Sequence, residues 1–386
     1  MLLGACSGST GSRGPSPIGA SPGHIDINNQ LLSVTCASTS HCIAVGSSGD
    51  LSSDLGTRTL IEEDSGGGWT IVPSPTPPTS SGIGSLLGSV TCANTTHCIA
   101  VGSSSDRTSI DTTLIEENTG SGWTIVPSPN PTAFGRGLGS LAGVTCASAT
   151  DCIAVGSYEA DNGHFQTLIE ENTGSGWTIV PSPNISSGAD NSLSKVACAK
   201  VGRCIAVGSH SNYRTLIEEN TGSGWSIVPS PNNSDGYDTA LSSVACTSAG
   251  RCVAVGFASP AYYAALPFTV ENAGNGWSTI EAPKFNGSLS DITCADSTSC
   301  IAVGNLFAGA AVIEQEAGSA WTLLPQLTLS SSEINGPTLN SVACAKADRC
   351  FIVGAQFLGY GSRQKTLIVE NTGSGWALVS SPNVTG

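Results

Sequence analysis

The chain has 386 residues and a net charge of −15, with 11% charged residues, 39% hydrophobic residues and 47 glycines. An acidic balance of this size excludes a nucleic-acid-binding surface, which needs a basic footprint, and an anionic bilayer would repel the chain unless a covalent anchor held it. The hydrophobic share excludes a disordered chain, and the length exceeds an ordinary single core but suits a repeat architecture.

In chain order, residues 1–23 come first. They contain the one unpatterned cysteine, Cys6, followed by a Gly-, Ser- and Pro-rich stretch that is expected to be a flexible tether. The run Leu3-Gly4-Ala5-Cys6 resembles a bacterial lipobox, which implies lipidation at Cys6; the plainer alternative is a free thiol. The five residues before it are too few for a signal peptide, so a start further upstream or a trimmed form is expected. No apolar run long enough to cross a bilayer occurs.

Residues 24–386 carry one pattern seven times. Copy two reads GSVTCANTTHCIAVGS, a variable loop, then TLIEENTGSGWTIVPSPN. Each copy offers four short, β-branched runs of the type S-V-T-C, C-I-A-V-G, T-L-I-E-E and W-T-I-V-P, bounded by turn residues and without a helical period. The tryptophans that open the fourth run are Trp69, Trp123, Trp177, Trp225, Trp277, Trp321 and Trp376. A fixed period with four strands per copy predicts an all-β, seven-bladed β-propeller with four antiparallel strands per blade. A β-solenoid is the fallback.

Fourteen cysteines fall into C-x5-C pairs: Cys36/Cys42, Cys92/Cys98, Cys146/Cys152, Cys198/Cys204, Cys246/Cys252, Cys294/Cys300 and Cys344/Cys350. One such pair per copy predicts one local disulfide per blade and an oxidising compartment. Metal binding is the rival reading, disfavoured because no His cluster or second cysteine pair complements any of them.

The turn before each tryptophan reads Asp64-x-Gly66 in copy one. The Asp position becomes Asn118, Asn172, Asn220, Asn272 and Asn371 in copies two to five and seven, and Glu316 in copy six. This resembles the Asp-box (BNR) motif of sialidase-type propellers, although the motif's Ser is Glu62, Glu116, Glu170 or Glu218 in the first four copies. The resemblance implies a fold-stabilising turn, not a catalytic one. The longer consensus looks like a group of secreted bacterial repeat proteins and is similar to photosystem II assembly-factor propellers; it covers about residues 30–386 and implies fold more than function.

A catalytic centre breaks symmetry, so residues repeated in every copy are expected to be scaffold. On that rule the Glu-Glu pairs form a solvated or turn-bonded ladder, and Arg203, Arg251 and Arg349, each just before a second cysteine, do not converge. No metal-ligand spacing, nucleophile elbow or phosphate loop is present, so neither catalytic residues nor a cofactor or metal is expected. Asymmetry is confined to the loops between the second and third strands and between copies. There Tyr158, Asp161, His164, Tyr213, Arg214, Tyr237, Asp238, Tyr263 and Tyr360 stand out as ligand-binding candidates, or alternatively as caps of blade edges. The expectation is a monomeric, extracytoplasmic protein, secreted or lipid-anchored, that binds a glycan or an extracellular protein. The alternatives are an Asp-box-type glycoside hydrolase or lyase, working through Glu159, Asp161, Asp235 and Asp238, and an assembly chaperone for a membrane complex.

Overall fold

Short β-branched runs separated by glycine, asparagine and proline make each copy a four-stranded antiparallel meander. The computed structural model describes residues 27–385 except 51–55, 76, 78–83, 107–109, 134–135, 138, 212, 234–236, 262–263, 319, 326–335 and 358–362. Cys6, the tether, Asp235, Tyr263 and Tyr360 therefore lie outside the described residues. Unit one comprises Asn28–Ser38, His41–Asp50, Gly56–Asp64 and Trp69–Val72. The first strands of units two to seven begin at Gly84, Gly139, Asn191, Asp238, Gly287 and Pro337. The described residues contain no helix. A small hairpin, Thr132–Ala133 with Arg136–Gly137, lies ahead of unit three. Units one and two are also joined by a single parallel bridge between Thr57 and Gly84.

The cysteine spacing follows from the hairpin geometry. In unit one Ser38 pairs with His41 around a two-residue turn, then a one-residue register shift brings Cys36 opposite Cys42. All seven C-x5-C pairs form disulfides with Cα atoms 3.9–4.1 Å apart. A second shift, between Leu31 and Ser33, explains the recurring A-V-G: a Cβ on Gly46 would stand 2.0 Å from the Gln30 carbonyl oxygen, and the same approach recurs in every unit.

The units stack face to face. Between units one and two, Ile43, Val45 and Ile61 meet Leu87, Val90, Leu114 and Trp123. The same pattern recurs around the chain and joins the last unit to the first, where Phe351, Val353 and Ile368 meet Leu31, Val34 and Trp69. The tryptophan opening the fourth strand is the wedge: Trp69 meets Phe351 edge-to-face at 5.4 Å. First strands pack on first strands of neighbouring units. There the Val90 amide donates to Ser33 Oγ (3.2 Å), Val144 to Ser89 (3.3 Å) and Val34 to Ser341 (3.2 Å), so unit seven bonds unit one as units one and two bond their successors.

The seven disulfides form between the cysteines expected to pair, and they belong to this packing. Cys42, Cys98, Cys152, Cys204, Cys252, Cys300 and Cys350, the second cysteine of each pair, are only 0–5% exposed. Each sits in the apolar cluster between its own unit and the preceding one. The physical reason is strand position: the second cysteine opens the C-I-A-V-G strand, which lies inside the blade and is covered on both faces. Its partner, on the first strand, is half-buried in every unit. With both sulfurs bridged, no thiolate remains to hold a metal. These cysteines are therefore core and cross-link together, and none of them forms a ligand site.

One expectation fails in part. The inner glutamate of each Glu-Glu pair is not solvated, because adjacent strand residues point to opposite faces and the stack of units covers both, whereas outer glutamates such as Glu63 are turn-bonded as expected. Glu62, Glu116, Glu170, Glu218 and Glu314 are 0% exposed. Each faces the preceding unit. In four cases a serine five residues after that unit's tryptophan reaches the carboxyl: Ser74 Oγ donates to Glu116 (2.9 Å), Ser128 to Glu170 (3.0 Å), Ser182 to Glu218 (3.0 Å) and Ser381 to Glu62 (3.0 Å). Burial pushes these carboxyls up to about 7 or 8.

Glu314 is the exception among them. The serine position before it is Ala282, and both carboxyl oxygens lack a partner among the described residues. Burial alone pushes Glu314 up to about 7. Units five and seven place Val270 and Val369 at the same register position. We therefore expect Glu314→Val to stabilise the protein by about 1–3 kcal/mol at pH 8 and by less at pH 4, where the carboxyl is protonated in both folded and unfolded chains. Thermal melts of the variant at the two pH values check this.

Candidate functional site

The meander sends its constant and variable connections to opposite ends. At one end the cysteine turn and the turn before the tryptophan are neighbours: a Cβ on Gly66 would lie 3.7 Å from Ser40. Asp64 Oδ1 accepts from the amides of Gly66 (2.8 Å) and Gly68 (3.1 Å), and Asn118 and Asn172 repeat that arrangement. Gly66 sits at φ +93°, which explains the glycine. In four units the residue before the second cysteine meets the outer glutamate of its own unit: His41 with Glu63 (3.0 Å), His97 with Glu117 (3.1 Å), Arg251 with Glu271 (2.6 Å) and Arg349 with Glu370 (3.2 Å). Arg251 also bridges to Glu316 of unit six at 2.7 Å. In unit three that slot is Asp151, which offers no cation, and Glu171 instead accepts from the next unit's Trp225 Nε1 (2.9 Å). Arg251 and Arg349 are spent on holding turns and do not converge on a substrate.

At the variable end one place departs from the repeat. The unit-three hairpin is closed by the Ala160 amide on the His164 carbonyl (2.9 Å). The connection into unit four is fixed by Asn191, 1% exposed, whose side chain accepts from the Ile185 amide (3.1 Å) and donates to the carbonyls of Ser186 (3.1 Å) and Ala189 (2.7 Å). That presents Asp190 to both units. Its carboxylate accepts from the Phe165 amide (3.0 Å) and lies 3.2 Å from His164 Nδ1, contacts that keep it below the usual carboxylate range. Its backbone exchanges two bonds with Ser211, the Asp190 amide to Ser211 Oγ (2.8 Å) and the Ser211 amide to the Asp190 carbonyl (2.7 Å).

Between these hairpins lies a cleft of about 370 Å³, lined by Ser157, Phe165, Asp190, Ser209, His210 and Tyr213 among others. Its volume suits one or two sugar residues or a short side-chain cluster. Phe165 and Tyr213 are 47% and 59% exposed. Tyr213 is the one non-glycine residue with positive φ (+46°) among those described, and its carbonyl accepts from the Thr239 amide of unit five (2.5 Å). A tyrosine in the left-handed region costs on the order of 1 kcal/mol, and the ring here stands out toward solvent. Burial, and secondarily the charge of Arg214, holds His210 below the usual imidazole range, so its ring is neutral at pH 7.

Of the sequence candidates, Tyr213 lines this cleft; His164 lies behind its wall on Asp190, Arg214 pairs across the hairpin from the lining His210, and Asp161 is exposed at the tip of the unit-three hairpin. Tyr158 does not join them; it packs against the interface of units two and three. Tyr237 is half-buried and Asp238 exposed, at the entry to unit five beside the Thr239 contact. Sequence reasoning passed over Asp190, Asn191 and Ser211. The only signal was that G-A-D-N-S in this connection has no counterpart in the other copies. The five raised carboxyls are fully buried between units, so none can serve as a catalytic acid here. Among the described residues no group of three or more metal-ligating side chains exists.

No protein-family model matches the chain, and no curated protein matches it in sequence. Solved structures match in shape. The BP39L lectin from Burkholderia pseudomallei superposes with a TM-score of 0.56, covering 94% of this chain and 99% of its own at 10% identity. An ulvan lyase, described as a new family of polysaccharide lyase, gives 0.56 over 93% and 97% at 12% identity. YCF48 from Cyanidioschyzon merolae gives 0.53 over 89% and 95% at 12% identity. The fold is a β-propeller. At these identities the likeness shows the propeller fold alone, and one such propeller is a lectin while another is a lyase.

Proposed function

We propose that residues 24–386 form a ring of seven blades that binds a glycan in the cleft between units three and four, without catalysis. The observation that carries this reading is the departure from symmetry: on an otherwise repeated scaffold, two exposed rings, a neutral histidine and an Asp190–Ser211 brace gather in one cleft. Aromatic faces beside fixed polar groups suit the mixed apolar and hydroxyl surface of a sugar. The match to a lectin of the same fold supports the reading. The seven disulfides support an oxidising, extracytoplasmic setting, with residues 1–23 as the tether, Cys6 as the lipid anchor and the monomer as the working form.

Removing either platform ring, Phe165→Ala or Tyr213→Ala, is expected to weaken glycan binding about tenfold or more, the effect of losing a central aromatic contact. Titration of each variant with a saccharide identified on a glycan array checks it. An array with no hits contradicts the reading. A second reading, hydrolysis or elimination, draws on His164 oriented by Asp190 at 3.2 Å, the geometry of a positioned base. Turnover of a polysaccharide that is lost in His164→Ala would favour it.

A further inference from the structure

We propose that the ligand of this cleft is an acidic saccharide whose carboxylate or sulfate lies against Arg214; the inference rests on the glycan-binding reading. Arg214 pairs directly across the hairpin from His210, so the two side chains leave the sheet on the same face. His210 lines the cleft, and Arg214 therefore flanks it. Arg214 is half-buried, and among the described residues no carboxylate forms an ion pair with it. Arg251 and Arg349, at the opposite end, are by contrast each held by glutamates.

The cleft's own carboxylate is already committed. Asp190 is occupied by the Phe165 amide and by His164, and so is not turned toward Arg214 in any hydrogen bond. His210, being neutral, can exchange hydrogen bonds with sugar hydroxyls but supplies no charge. Arg214 is then the cation at the edge of the cleft, next in sequence to Tyr213, and its planar guanidinium suits two-point contact with a carboxylate or sulfate. The net charge of −15 does not oppose this locally, since exposed charges beyond about 8 Å are largely screened at physiological ionic strength.

The test is a glycan array carrying neutral, uronic-acid-bearing, sialylated and sulfated chains. It is followed by titration of the best acidic hit against its methyl-esterified or desulfated counterpart. The expected result is at least tenfold preference for the charged form, with that preference lost in Arg214→Gln and partly kept in Arg214→Lys. Arg58→Gln, at an exposed site in unit one, removes the same charge and should change nothing. Circular dichroism of each variant separates loss of binding from loss of fold. Hits confined to neutral chains would overturn the acidic ligand while leaving the glycan reading in place. An acidic hit that Arg214→Gln binds as tightly as the parent would also overturn it. An array without hits would remove both.

Discussion

Reduction of the seven disulfides is expected to unfold the protein. Each closes a loop of a few residues, and restricting the unfolded chain in this way is worth roughly 2–3 kcal/mol per bridge. The seven loops do not overlap along the chain, so their effects on the unfolded state add, to on the order of 15 kcal/mol in all. Native domains are stable by only about 5–15 kcal/mol, so the bridges account for a stability comparable to the whole. The second cysteine of each pair is at most 5% exposed, which shields the bridges until the structure opens. The expected observation is a melting temperature lower by about 20 °C or more in strong reductant than in its absence, with all fourteen thiols titrating after heating. An unchanged melt, with all those thiols shown to be free, would mean that face packing alone holds the stack.

Stability should also fall as pH rises through neutrality. Glu62, Glu116 and Glu314 are pushed up to about 7, and Glu170 and Glu218 to about 8, each mainly by burial. In the unfolded chain the same carboxyls lose their protons near the ordinary value of 4.5. Below that pH both states are protonated and the groups add no pH-dependent cost. Between about 4.5 and 8 the unfolded chain binds fewer protons than the folded one, and stability declines with rising pH. Above about 8 the full penalty is present, on the order of 3–5 kcal/mol for a carboxyl moved from 4.5 to about 7 or 8. Five such groups should lower the melting temperature by about 10 °C or more between pH 5 and pH 9. The Ser74, Ser128, Ser182 and Ser381 hydroxyls reduce the penalty by bonding the charged form. A melt that is flat across this range, or that rises with pH, would contradict the assignment.

The scaffold was legible in the sequence because its determinants are local. The C-x5-C spacing encodes a hairpin with one register shift, A-V-G encodes a close backbone approach, and Asn-x-Gly encodes the turn before each tryptophan. All three are settled within ten residues. What each element packs against is not local. The pairing of Cys98 with Cys92 could be read from their spacing, but its burial against unit one could not. The inner glutamates were misjudged because Glu116 is covered by the preceding unit, whose Ser74, 42 positions away, bonds its carboxyl. The cleft was only partly legible for the same reason. His164, Tyr213 and Arg214 stood out as loop residues that break the repeat, but Asp190, which joins their hairpins, lies in a connection without periodicity. Tyr158 shows the limit of reading loops by composition: its neighbour Ser157 faces the cleft, while Tyr158, one position on, faces the other side of the sheet.

The most direct measurement is a crystal structure of the protein with the saccharide that the array returns. The account predicts sugar density between Phe165 and Tyr213, within hydrogen-bond reach of His210 and with its acidic group on Arg214. Density on the constant end or at another unit boundary, with the unit-three to unit-four cleft empty, would contradict it.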